Sequence, residues 1–160
     1  MSSQSTLTIL LSAAMAAPPR QVVEVLSACR PDDVELLDAA TATALRVVAE
    51  LAIVGTPPTA DVVNAELLRR GAYHGHHGDL VRTRMIDAAG NPQQLPELLP
   101  EYASAVLSDL FRARLRAAGE ALVTGAADAC EDDLWALLLR EGAAVRSLRD
   151  RLAVVRGDPR

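Results

Sequence analysis

Apolar positions recur along the chain at steps of three and four, and no run alternates with the period of two that a half-buried strand would show. The pattern predicts seven helical segments, each ended by Pro, Gly or a capping residue. The first covers about residues 6 to 17, with Leu7, Leu10, Leu11 and Ala14 on one face, Ser5 or Thr6 as N-cap and Pro18-Pro19 as the stop. The second runs from Pro19 to near Arg30, where Pro31 forbids continuation. A third is expected from about 33 to 54, carrying Val34, Leu37, Leu45, Val48 and Ala52 inward, with Thr41-Ala42-Thr43 as a possible break and Gly55 as its end. A fourth follows Pro57-Pro58, with Thr59 as N-cap and Asp61 near the positive end of the helix dipole, and stops at Gly71. A loop from Gly71 to Gly78 then leads to Asp79, the expected cap of a fifth helix that Gly90-Asn91-Pro92 ends.

The last third has a different texture. Two long segments, about 96 to 124 and 132 to 156, joined by Gly125 to Glu131, predict an antiparallel helical hairpin. In the second arm Leu134, Leu138, Val145, Leu148, Leu152 and Val155 follow heptad spacing, interrupted by Glu141. The first arm carries two apolar stripes: Tyr102, Val106, Leu110, Ala113 and Ala117, and Leu107, Phe111, Leu115, Ala118 and Leu122. One stripe packs on the second arm. The other needs a further partner, because each such side chain left in water forgoes about 1.5 to 3 kcal/mol. The expectation is an all-α fold, a head of about five helices over 1–95 and a hairpin over 96–160, in one folding unit, that forms a homodimer through Leu107, Phe111, Leu115, Leu148 and Leu152. The competing arrangement folds the hairpin back on the head so that both stripes become internal core.

Composition narrows the chemistry. Half of the 160 residues are apolar and only 2% aromatic, so the core is built from Ala, Leu and Val, which suits packed helices. All 16 basic residues are Arg; with no lysine there is no Schiff base, no lysine general base and no phosphate-loop lysine. A net charge of -5, with Arg112, Arg114, Arg116, Arg140, Arg146, Arg149 and Arg151 interleaved with acids, argues against direct nucleic-acid binding. Cys29 and Cys130 have no metal or redox spacing, and Cys29 shares a helical face with Val22 and Leu26. The run Leu7 to Ala17 ends in Ala14-Met15-Ala16, which imitates a signal-peptidase site, but no Arg precedes Arg20. A core helix and a cytoplasmic location are the expectation, with a secreted domain as the remaining possibility. No apolar stretch approaches the ~20 residues that span a bilayer.

Candidate chemistry is thin. His74, His76, His77 and Asp79 are the one cluster of metal-ligand types, yet zinc sites draw ligands from two separated elements and no second set is present. An exposed loop with Asp79 as helix cap is the expected role, and no metal or cofactor is expected. The carboxylate pairs Asp32-Asp33 and Asp132-Asp133 fall at helix starts. Gly55-Thr56-Pro57-Pro58-Thr59 is a turn whose prolines remove the N–H groups an anion would need. Trp135 is a core, hairpin-tip or interface residue. No catalytic residue is expected.

The order of segments resembles the N-terminal domain of DnaB-type replicative helicases. Thr8-Ile9-Leu10-Leu11-Ser12-Ala13-Ala14 looks like that family's opening helix, and Val25-Leu26 through Arg30-Pro31-Asp32-Asp33-Val34 like its Pro-Glu-Asp-Phe-type turn. Ala44 through Gly55-Thr56-Pro57-Pro58-Thr59-Ala60-Asp61-Val62-Val63 to Leu67-Leu68-Arg69-Arg70-Gly71-Ala72-Tyr73 resembles its helix, Gly-x-Pro-x-Asp turn and Leu-x-x-x-Gly ending. Tyr102-Ala103 with Arg112 and Arg114 is similar to the start of its hairpin. Val34 stands where an aromatic is usual, and His76-His77-Gly78-Asp79 replaces a Gly-Gly turn. The resemblance implies a collar domain without catalytic residues that pairs hairpin to hairpin and offers a surface to primase or a helicase, while the ATPase lies in a domain not present in these residues. The alternative is a small helical regulator or enzyme in which the His74 to His77 loop and an arginine cluster meet over a pocket.

Overall fold

The computed structural model describes residues 3–91 and 95–157, and among these it is all-α, with no strand. Helix α1 spans Ser3–Ala16. Leu7, Leu10, Leu11, Ala13, Ala14 and Met15 are all buried, so α1 sits in the middle of the core and packs on the fourth, sixth and seventh helices. It begins before Ser5 and Thr6, which lie inside the helix and not at its cap. Pro18 and Pro19 turn the chain into α2, Pro19–Ala28, whose face Val22, Val25 and Leu26 is buried with Cys29 at its end.

The expected third helix is two. A single turn, α3 at Pro31–Val34, precedes α4 at Ala39–Ile53. The break falls at Asp38, earlier than Thr41. Asp38 is extended, and its carboxylate accepts hydrogen bonds from the Thr41 hydroxyl at 2.6 Å and from Arg84 Nε at 2.7 Å. A side chain tied both to the first turn of α4 and to α6 holds the backbone out of the helix. From there α4 carries Ala44, Leu45, Val47 and Val48 into the core. Helix α5, Ala60–Arg69, starts after Thr59, whose hydroxyl makes no capping bond, and ends at Gly71, which takes the left-handed conformation at φ 67°.

Helix α6 spans Gly75–Ala89, five residues longer at its start than expected. His74, not Asp79, holds the N-cap position, and His76 and His77 lie in the first turn. The glycines make a tight corner instead of a flexible loop. Gly75 has φ 68°, and a Cβ on Gly78 would lie 2.2 Å from the carbonyl carbon of Tyr73. The Tyr73 ring is held there by its hydroxyl, which donates to Asn64 Oδ1 at 2.8 Å, and by the Arg82 guanidinium 5.2 Å from the ring centre. Pro92, expected to end this segment, lies outside the described residues.

A 3-10 turn at Pro96–Leu98 leads into α7, Leu99–Asp128, and then α8, Glu131–Arg156, with only Ala129 and Cys130 between them. Gly125, expected to open the connection, is inside α7. The two arms pack on each other along most of their length, and the proximal half of α7 also packs on α1 and α2. Leu99, Ala103, Val106, Leu107, Leu110 and Leu148 belong to the same continuous core as the head. In α8 the inward row reads Leu134, Leu137, Glu141, Leu148, Leu152 and Val155. Leu137 takes the place expected for Leu138, which is exposed; a Cβ on Gly125 would touch both Leu134 and Leu137.

Replacing Gly78 by Ala therefore drives a methyl into backbone and is expected to destabilise the fold by about 2 kcal/mol or more. Gly119→Ala, where nothing lies within 4 Å of the new methyl, is expected to stabilise it by about 0.5 to 1 kcal/mol through helix propensity. Paired urea unfolding curves test both signs.

Candidate interaction surface

The seam between α7 and α8 is marked by a charged pair. Arg114 Nη2 donates to Glu141 Oε2 at 2.7 Å, and Arg140 Nε reaches Glu141 Oε1 at 3.3 Å. Glu141, the polar interruption in the heptad row, is only 8% exposed, while Arg114 Nε is buried with no hydrogen-bond partner among the described residues. Such a pair fixes register more than it adds stability, since desolvation offsets most of the attraction.

Taking that pair as the line where the arms face each other, steps of about 100° per residue separate two flanks. Ala144, Ser147 and Arg151 lie on one flank, which faces the head: Arg151 Nη1 donates to Asp33 Oδ2 at 2.6 Å and to the Ala28 carbonyl at 2.9 Å. Leu115, Gly119 and Leu122 of α7, with Trp135, Leu138, Leu139 and Gly142 of α8, fall together on the other flank. There Leu115 is 53%, Trp135 62%, Leu138 43% and Leu139 56% exposed, and Val123 at the outer edge 77%.

The five residues expected at a dimer interface divide along this axis. Leu107 and Leu148 are buried in the subunit's own core, so neither offers surface to a partner. Phe111 and Leu152 are half-buried against that core, and Leu115 is free. Of the second apolar stripe, the proximal end is covered by the head, Ala118 is buried and Leu122 half-buried, and Leu115 is the member left exposed. Leu139 and Val123 were not singled out by sequence, because the run Leu137-Leu138-Leu139 leaves the seam register ambiguous by one residue.

Two hollows among the described residues are lined without histidine. The main cleft, about 390 Å³, lies where head and hairpin meet and is lined by Arg30, Asp33, Leu110, Arg114, Ser147 and Arg151 among others, with no histidine. A smaller hollow of about 210 Å³ between α5 and α6, bordered by Asn64, Tyr73 and Met85, has none either. His74, His76 and His77 are exposed, and His77 Nε2 lies 3.1 Å from the Thr43 hydroxyl. Among the described residues no three His, Cys, Asp or Glu side chains are grouped to hold a metal. No described helix is long and apolar enough to cross a membrane.

The fold shifts the titration of Cys29 and Asp38 among other groups. Burial pushes the Cys29 thiol up to about 12, although the Arg151 charge opposes this. Both cysteines are free, and Cys130 is exposed in the turn between the arms. At Asp38 burial works against the carboxylate, but the bonds from Thr41 and Arg84 outweigh it and hold its pKa below the ordinary value of 3.8. Comparison of the chain with protein-family models, with curated proteins and with solved structures finds no match in any of the three.

A thiol reagent is accordingly expected to label one cysteine per native chain within seconds, Cys130, and the second only on unfolding; two fast thiols in the native protein would contradict the burial of Cys29. Because the folded pKa of Asp38 is depressed, its stabilising effect is present above pH 3.8 and is lost as the pH falls below it. Asp38→Asn is expected to cost about 2 kcal/mol at neutral pH and to flatten the fall in stability that the wild type shows below pH 3.8. Chemical denaturation across these pH values checks it.

Proposed function

We propose that this chain is a non-catalytic helical interaction domain, built like the collar domain of DnaB-type replicative helicases, that pairs with a second copy through the outer flank of its hairpin and offers its head to a replication partner, a primase or a helicase. The observation that carries the reading is the uncovered apolar flank: Leu115, Val123, Trp135, Leu138 and Leu139 lie exposed on the distal hairpin, beyond the reach of the head. Scattered single apolar residues need no explanation, but a contiguous group of this size on two adjacent helices is the usual mark of an interface. A lone Trp flanked by leucines is also the type of side chain that anchors such contacts.

The resemblance in segment order supplies the partner class. A head before a two-arm hairpin is the order that resemblance implies, and at their junction Arg114 and Arg151 are bonded to the chain's own Glu141 and Asp33, a structural use of those charges. No pair of nucleophile and base lies within hydrogen-bond reach there, so binding is the chemistry this surface supports.

Sedimentation equilibrium at micromolar concentration tests self-pairing. The wild type is expected to sediment as a dimer, and Leu115→Glu with Leu139→Glu as a monomer whose melting temperature and helical circular dichroism are retained, because neither residue contributes to the core. A wild type that stays monomeric defeats the proposal. Co-purification with primase and helicase, reading loss on head substitutions such as Leu68→Glu while dimers persist, tests the partner surface.

A further inference from the structure

The outer flank is ordered by charge as well as by polarity. At the tip stand Glu131 and Asp132, in the acidic first turn of α8. Next come Trp135, Leu138 and Leu139, and beyond them Gly142 and then Arg146 and Arg149, both exposed and ion-paired with no carboxylate among the described residues. On the α7 side Val123 stands near the tip, then Gly119, then Leu115 and Arg112 toward the head. The flank is therefore acidic at the tip, apolar in the middle and net basic toward the head, where Arg112, Arg146 and Arg149 outnumber Asp150. From Glu131 to Arg149 it extends about 27 Å along α8 at 1.5 Å per residue.

Resting on the self-pairing proposed above, we infer that two copies pair their outer flanks antiparallel, about a twofold axis passing between Leu138 and Leu139, so that the acidic tip of each hairpin meets the basic segment of the other. In this register Leu138 packs on the partner subunit's Leu139, Glu131 approaches the partner subunit's Arg146, and Trp135 falls on the partner subunit's Gly142. A twofold contact makes each of these occur twice. The parallel arrangement sets acids on acids and arginines on arginines, a juxtaposition that interfaces avoid.

The glycines give an independent argument. Gly119 and Gly142 lie in the interior of long helices, where Gly is less favourable than Ala, and nothing in the subunit lies within 4 Å of the Cβ either would carry. No contact within the chain requires them. In the antiparallel register Gly142 leaves room for the indole of Trp135, whereas in the parallel one indole meets indole and the gap beside Gly142 stays empty.

Charge reversal distinguishes the arrangements. Glu131→Arg with Asp132→Arg, and separately Arg146→Glu with Arg149→Glu, are each expected to weaken the dimer by about tenfold or more at low salt. A chain carrying all four substitutions is expected to regain affinity within about threefold of wild type, since opposite charges again meet; circular dichroism melts confirm that each variant folds. Trp135 is the sole tryptophan, so its emission is expected to shift to the red on dilution through the dissociation constant, and Gly142→Leu to weaken association at least tenfold. If the wild type dimerises but the reversals change its affinity by less than twofold, or the fourfold variant is no tighter than the pairs, this register is wrong while self-pairing stands. A wild type that is monomeric at all concentrations overturns both.

Discussion

A helix of 30 residues is about 45 Å long, and the head of this protein is wide enough to cover only its first half. That mismatch organises the molecule. Along the proximal half of α7, Leu99, Ala103, Val106, Leu107 and Leu110 are sealed by α1, α2 and α8, and the hairpin shares one core with the head. Past Arg114 the same apolar periodicity continues, with the other arm as the neighbour. A two-helix ribbon buries one face of each helix, and what remains apolar on the flanks remains in water. The exposed cluster at Leu115, Trp135 and Leu139 follows directly from arm lengths that outrun the head.

Among the polar ties between elements, three sit where two units are set at a fixed angle. Asp38 joins the start of α4 to Arg84 of α6, Asp33 joins α3 to Arg151 of α8, and Glu141 joins the arms through Arg114. All three use a carboxylate with arginine, whose planar fork holds direction in a way a lysine ammonium does not. With a core of Ala, Leu and Val that packs in many similar ways, such ties select one arrangement from several of comparable burial.

The helical periodicity made most of this architecture legible from sequence: the all-α class, the proline boundaries at Pro18-Pro19 and Pro31, and a hairpin in the last third all follow from local rules. The misplacements have tertiary causes. The break before α4 depends on Asp38 finding Arg84, 46 residues away. The early start of α6 depends on Gly78 meeting the backbone of Tyr73, which turns a glycine-rich stretch that reads as a loop into a packed corner. For the interface, two apolar stripes on the first arm were legible as more than the second arm covers, but which of them the head reaches, and how far up, is set by packing that no local pattern encodes. Leu107 and Leu148 were therefore assigned to a partner when the subunit itself covers them.

Rigidity links the two ends of the molecule. Because head and hairpin share a core and are pinned by Arg151 to Asp33, a contact made on the distal arm fixes the orientation of the head with little play. Two copies joined flank to flank and antiparallel would carry their heads at opposite ends of a four-helix ribbon, each with its exposed surface of α5 and α6 turned outward by the twofold axis. A closed twofold contact also leaves no free flank for a third copy. On the proposed pairing, any larger assembly would have to grow through the heads, so the surface proposed to make pairs would be separate from the one proposed to recruit a partner.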